Sequence, residues 1–235
     1  MASVAACAVL LACSGDNKSA SVRPASSDPA ATGVDSVSSA AAVAVPDGAR
    51  TVLFLGTSLT AGLGLDPDSA YPQQLQRKID SAGLAYQTVN AGVSGETSAG
   101  LLRRLDWVLQ NPAAVIVVET GANDGLRGQP VEGTKATIGA ILTRIAKDRP
   151  EATVVLIQME APPNMGVEYT RAFHAMFPAL AAAHGVTLLP FLLDGVAGHA
   201  ELNQGDGVHP NDVGEKVVIS NVWRGIQPIL KSARN

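Results

Sequence analysis

Thr51-Val52-Leu53-Phe54-Leu55-Gly56-Thr57-Ser58-Leu59-Thr60-Ala61-Gly62 is the stretch that decides the fold. Five β-branched or apolar residues run without a break into a loop of glycines and hydroxyls. A continuous apolar run, rather than an alternating one, suits a strand covered on both faces, and such strands belong to parallel sheets. Parallel strands need a long crossover, usually a helix, so the pattern should recur with helices between. It does. Further runs lie at Tyr86–Asn90, Ala114–Glu119, Thr153–Gln158 and Val186–Pro190. Between them, Tyr71–Ala82, Ser98–Gln110, Val131–Arg149 and Glu168–His184 carry apolar residues at helical spacing, as in Leu75, Ile79 and Ala82. A final helix is expected over Asn211–Leu230, and no internal repeat is visible.

Five strands alternating with helices predict a flavodoxin-like three-layer α/β/α sandwich around a five-stranded parallel sheet, in the order 2-1-3-4-5. That order puts the first strand between the second and third. Ligands in such sheets bind beyond the carboxyl ends of the strands, where the order reverses. The segments there are Gly56–Gly64, Asn90–Thr97 and Thr120–Gly125, with Asp206-Gly207-Val208-His209-Pro210-Asn211 entering the last helix.

These four segments hold the parts of an acyl-transfer site. A serine hydroxyl is a weak nucleophile until a base takes its proton. Histidine suits that task because its ordinary pKa, about 6.5, lies near neutrality. An acid on the far imidazole nitrogen fixes the tautomer and stabilises the imidazolium. Asp206 and His209 are three residues apart around Gly207, so one loop can supply both. Gly92 offers a sterically open backbone amide and Asn123 a carboxamide NH₂, donors of the kind an oxyanion needs. Each has a plainer explanation: Ser58 as a helix cap, Gly92 as a backbone residue, Asn123-Asp124-Gly125 as a turn, Pro210 as the start of a helix. All four plain explanations would have to hold together.

In order and spacing the segments resemble the conserved blocks of the GDSL or SGNH hydrolases, in particular their bacterial arylesterase, acyl-CoA thioesterase I and lysophospholipase L1 group. The likeness covers roughly Thr51 to Leu230 and extends to Asn123-Asp124-Gly125-Leu126-Arg127-Gly128 and Leu188-Leu189-Pro190-Phe191. It implies a serine ester hydrolase with Ser58 as nucleophile, His209 as base and Asp206 as its partner. It also implies an oxyanion hole made by the Ser58 amide, the Gly92 amide and the Asn123 side chain. The family usually places Asp before the serine, and this chain has Thr57. The common nucleophile elbow, G-x-S-x-G, is a different motif, because Thr60 stands at its fifth position.

The substrate is expected to be a small-molecule ester, a thioester or a lipid. After the fourth strand, Met159 to Gly166 is apolar and rich in proline, which favours acyl or aryl esters over sugars. Pro162 and Met165 are expected on the wall of the cleft, as a flap that sets chain length. The competing enzyme is a carbohydrate acetylesterase on the same fold, which would want aromatic platforms. From another class comes a phosphate or flavin binder, since the Thr57–Gly62 loop suits a phosphate. Against a flavin, aromatics are only 4% of the chain and no Trp or Tyr falls in the loops that would sandwich its ring.

Composition narrows the field further. A net charge of −4 without a basic run lacks the footprint of a nucleic-acid binder. Both cysteines, Cys7 and Cys13, precede the folded part, which leaves it no disulfide, thiol nucleophile or cysteine-bound zinc. The four histidines form no HxH or HxxxH pair, and no metal site or cofactor is expected. Val4 to Ala12 is apolar but shorter than the roughly 20 residues of a membrane span. With Leu10-Leu11-Ala12-Cys13 it resembles a bacterial lipobox, although Met1 to Cys7 lacks the usual positive start. The expected organisation is a signal-like segment over residues 1–13 with Cys13 as lipidation site, a disordered tether over 14–49, and the hydrolase domain over 50–235. Such a protein would be exported, either held at the periplasmic face of a bacterial membrane as a lipoprotein or free as a periplasmic or secreted enzyme.

Overall fold

The computed structural model describes residues 50–232, and the expectations for the lipobox at Cys13 and the tether lie outside them. Strand β1 (Arg50–Gly56) is followed by a single helical turn, α1 (Ser58–Ala61), and by α2 (Tyr71–Ser81). Then come β2 (Tyr86–Gly92), α3 (Ser98–Val108), β3 (Val115–Val118), the short α4 (Ala122–Leu126) and α5 (Val131–Asp148). The chain ends with β4 (Thr153–Ile157), α6 (Val167–His184), β5 (Thr187–Leu189) and α7 (Asp212–Ser232). All strands pair in parallel, in the order β2-β1-β3-β4-β5, as the alternation predicts.

The apolar runs are buried because helices cover both faces of the sheet. Val52 to Gly56 and all four residues of β3 are buried. Helix α2 buries Leu75 and Ile79 and packs against α7, which buries Val218, Val222 and Ile226. In the other layer α5 packs against both α3 and α6. There Leu101 and Leu105, Ile138 and Ile141, and Phe173 and Phe177 are buried. One of the two edge strands, β5, is the shortest and stops before Pro190, which has no N–H to give a ladder.

Register carries this order into function. Gly56 pairs with Gly92, Leu55 with Val118, Val118 with Leu156 and Leu156 with Leu188. The strands therefore end level with one another, and the loops after β1, β2 and β3 leave the sheet side by side.

Candidate active site

Ser58 is the first residue of α1, just past the end of β1. Thr57 caps that turn, its Oγ1 accepting from Leu59 N–H at 3.4 Å. Ser58 itself is 7% exposed, and its Oγ lies 2.8 Å from His209 Nε2. Behind the imidazole, Nδ1 sits 2.6 Å from Asp206 Oδ2. If Nδ1 carries the proton toward the carboxylate, Nε2 is left as acceptor for the serine hydroxyl. That is the tautomer a general base needs.

The base loop is built around its own acid. Asp206 Oδ1 accepts the backbone N–H groups of Val208 (2.9 Å) and His209 (3.0 Å), so the carboxylate folds the turn that carries the histidine. The hydrogen bond from His209, helped by these two amides, holds the Asp206 carboxyl down at about 2. The acid is therefore ionised at every pH where histidine titrates. Gln204 ties the loop to its neighbours: its Nε2 donates to Leu63 O (2.7 Å) and Pro210 O (2.9 Å), while its N–H donates to His209 O (2.7 Å).

The loop after β2 corrects one expectation. Gly92 does not present its amide to the site, because that N–H donates to Asn90 Oδ1 at 2.9 Å. A Cβ on Gly92 would lie 2.4 Å from Ala61 N, so the glycine serves the close packing of β2 against α1. Gly95 is the glycine of this loop that lines the cavity beside Ser58. Neither Gly95 N–H nor Ser58 N–H makes a hydrogen bond among the described residues. Asn123, in the first turn of α4, reaches the same cavity, and its Nδ2 donates to Glu96 O at 3.0 Å. That bond fixes which end of the carboxamide is NH₂ and leaves its second N–H unspent.

Three charged side chains, Arg104, Glu96 and Asp124, brace these loops. Arg104 grips both oxygens of Glu96 and also donates to Ala91 O. Buried Asp124 accepts from Ser98 N–H (2.8 Å) and Ser98 Oγ (2.6 Å), joining the starts of α3 and α4.

The cavity holding Ser58 and His209 has a volume of about 190 Å³ and apolar walls of Leu59, Leu63, Leu126 and Val208. Pro162 and Met165, expected on that wall, do not line it. Met165 Cε instead sits over the backbone of Gly128, beyond α4. The expected flap is a 3₁₀ turn, Pro163–Met165, with no residue buried. A larger cavity of about 300 Å³ lies between β5 and α7, but it contains neither Ser58 nor His209. Among the described residues no group of three His, Cys, Asp or Glu side chains is disposed to hold a metal ion.

Residues 54–217, from the second half of β1 into α7, match the model of the GDSL-like lipase/acylhydrolase family. The chain belongs to this family. Esterase TesA of Pseudomonas aeruginosa is 37% identical over 183 residues, which cover 77% of this chain and 90% of that protein. The thioesterase 1/protease 1/lysophospholipase L1 of Escherichia coli is 36% identical over 183 residues, covering 77% and 86%. The crystal structure of the psychrotrophic esterase EstA from Pseudoalteromonas sp., inhibited by monoethylphosphonate, superposes with a TM-score of 0.73 at 33% identity, covering 77% of this chain and 99% of that one. As a GDSL-like acylhydrolase, this chain is a serine ester hydrolase. The sequence pattern missed Gly95 and the wall residues Leu63, Leu126 and Val208, and it offers the buried acid beneath Thr57, Glu119, only as a supporting or capping group without a role. Glu119 had a signal, as the one charge closing the apolar run Val115-Ile116-Val117-Val118.

Proposed function

We propose that this enzyme cleaves acyl esters through an acyl-enzyme on Ser58, with His209 as general base and Asp206 as its orienting acid. The reading rests on one observation above all: Ser58 Oγ, His209 and Asp206 form an unbroken chain of 2.8 and 2.6 Å contacts at the wall of an apolar cavity. His209 Nε2 takes the hydroxyl proton as Oγ attacks the carbonyl carbon, and Asp206 stabilises the imidazolium that forms. The oxyanion is received by Ser58 N–H, Gly95 N–H and the unspent N–H of Asn123. His209 then protonates the leaving alcohol or thiol, and water repeats the sequence in reverse to free the acid.

The apolar walls favour a short to medium acyl or aryl group, and the names of the relatives support esters, thioesters and lysophospholipids as the classes to assay. The lipobox-like segment supports an exported enzyme anchored through Cys13. The deciding experiment is labelling by an ethyl phosphonate, followed by peptide mass mapping. Stoichiometric adduct on Ser58, with no turnover of p-nitrophenyl, acyl-CoA or lysophospholipid substrates by Ser58→Ala, is expected. Adduct on another serine refutes the assignment.

A further inference from the structure

Strand β3 runs into a carboxylate that the hydrolytic steps never touch. Glu119 is fully buried, and among the described residues no cationic side chain pairs with it. Its partners are instead the residues on either side of the nucleophile. Oε2 accepts Thr57 N–H at 2.7 Å and Thr60 Oγ1 at 3.0 Å, and Thr57 Oγ1 lies 2.9 and 3.0 Å from its two oxygens. A Cβ on Gly56 would fall 2.7 Å from Oε2 and 1.9 Å from Thr60 Oγ1, so the acid reaches Thr57 only because residue 56 has no side chain. Burial pushes the Glu119 carboxyl up from its ordinary range, and the bonds from Thr57 and Thr60 pull it back. A buried acid without a cation is costly to keep, so its geometry must be strongly held by these donors.

The grip falls on the peptide that matters. Thr57 is anchored at its N–H and its hydroxyl by Glu119, and at its carbonyl by Ala61 N–H at 2.9 Å. The Thr57–Ser58 peptide is planar, so a carbonyl aimed at Ala61 turns Ser58 N–H the opposite way. We propose that Glu119 is a positioning residue for ester hydrolysis, acting through Thr57 to aim the Ser58 amide and hydroxyl. In this chain Thr57 serves that role where the family usually has Asp, because a hydroxyl donates directly to a buried acid. The inference rests on Ser58 being the nucleophile.

The test is steady-state kinetics on Thr57→Val, Thr57→Ser and Glu119→Gln, with phosphonate labelling of the wild type alongside. Thr57→Val keeps the shape and the backbone N–H but removes the hydroxyl grip. It should lower kcat about 10-fold to 100-fold with KM within twofold, as expected for a small misplacement of reacting groups. Thr57→Ser restores the hydroxyl and should recover kcat to within about threefold of wild type. Glu119→Gln should show the same split between kcat and KM. Should Glu119→Gln fail to fold, the Thr57 pair decides alone. Thr57→Val with wild-type kcat overturns the proposal. So does a loss that Thr57→Ser shares equally, or one carried by KM. Failure of the nucleophile reading is separately visible, as wild-type enzyme that carries no adduct on Ser58.

Discussion

Glu215→Gln should make the protein more stable above neutrality and leave it unchanged in acid. Glu215 lies in the first turns of α7, 3% exposed, and its Oε1 accepts Tyr71 N–H at 2.7 Å. Tyr71 opens α2, whose preceding residue, Ala70, has no side chain able to cap it. The carboxylate thus serves as a cap delivered from another helix. Burial raises the Glu215 carboxyl from 4.5 to about 7, against the pull of the Tyr71 amide and with some help from Asp212. An acid raised by folding is bound by its proton more tightly in the native state. Below about 4.5 both states hold the proton and nothing is lost. Between about 4.5 and 7 the unfolded chain releases the proton while the native state keeps it, so stability falls; above 7 the deficit levels off. At 1.36 kcal/mol per unit, a rise from 4.5 to about 7 corresponds to about 3 kcal/mol. Glutamine cannot ionise, yet its amide oxygen still accepts from Tyr71. Urea unfolding of both proteins between pH 4 and pH 9, at roughly half-unit steps, reads the difference directly. Glu215→Gln should match wild type at the acid end and exceed it by up to about 3 kcal/mol at the alkaline end. A difference independent of pH, or a variant weaker than wild type at the alkaline end, would refute the reasoning.

Asn123→Ala should cost about 10²–10³ in kcat with little change in KM, because one oxyanion donor is removed. A KM effect at constant kcat would make it a ground-state contact. His209→Ala should be nearly as inactive as Ser58→Ala on p-nitrophenyl esters, and Asp206→Ala should keep more residual activity than either, since it acts on the base rather than on substrate. Leu126→Ala widens the apolar wall and should move the kcat/KM optimum toward longer p-nitrophenyl acyl chains, a methylene being worth about 1–3 kcal/mol; a uniform fall at every length removes Leu126 from selectivity. Intact mass and N-terminal peptide mapping of protein expressed in a bacterial host should find a lipid-modified Cys13 at the mature start, and an unmodified Cys13 ends the anchor proposal.

The sheet was legible because its runs are continuous and its crossovers amphipathic over many residues. The turns α1 and α4 escaped because four and five residues hold too little periodicity to register. Ser58, His209 and Asp206 could be read from chemistry and from a family likeness, as the acid and base share a short stretch. The choice between Gly92 and Gly95 could not. Both stand in one loop, and what separates them is tertiary: Asn90 takes the first amide and Ala61 crowds its α-carbon. Pro162 and Met165 follow the right strand, but their loop runs toward Gly128 rather than over Ser58. Glu119 could be seen as a charge ending an apolar run, while its partners, about sixty residues earlier, could not.

Because Asp206 folds the turn that carries His209, acid and base travel as a single rigid arm. The serine sits on the opposite bank, and apart from its own contact with the imidazole, Gln204 is the crossbar, one carboxamide spanning Leu63 O and Pro210 O. An arm of this kind fails in an unusual way. Loosening the crossbar should leave the bonds between Asp206 and His209 in place while freeing the arm to shift against the hydroxyl. Turnover would then depend on how often the arm returns, so the half-buried Gln204 carboxamide would set how much of the time the triad is assembled.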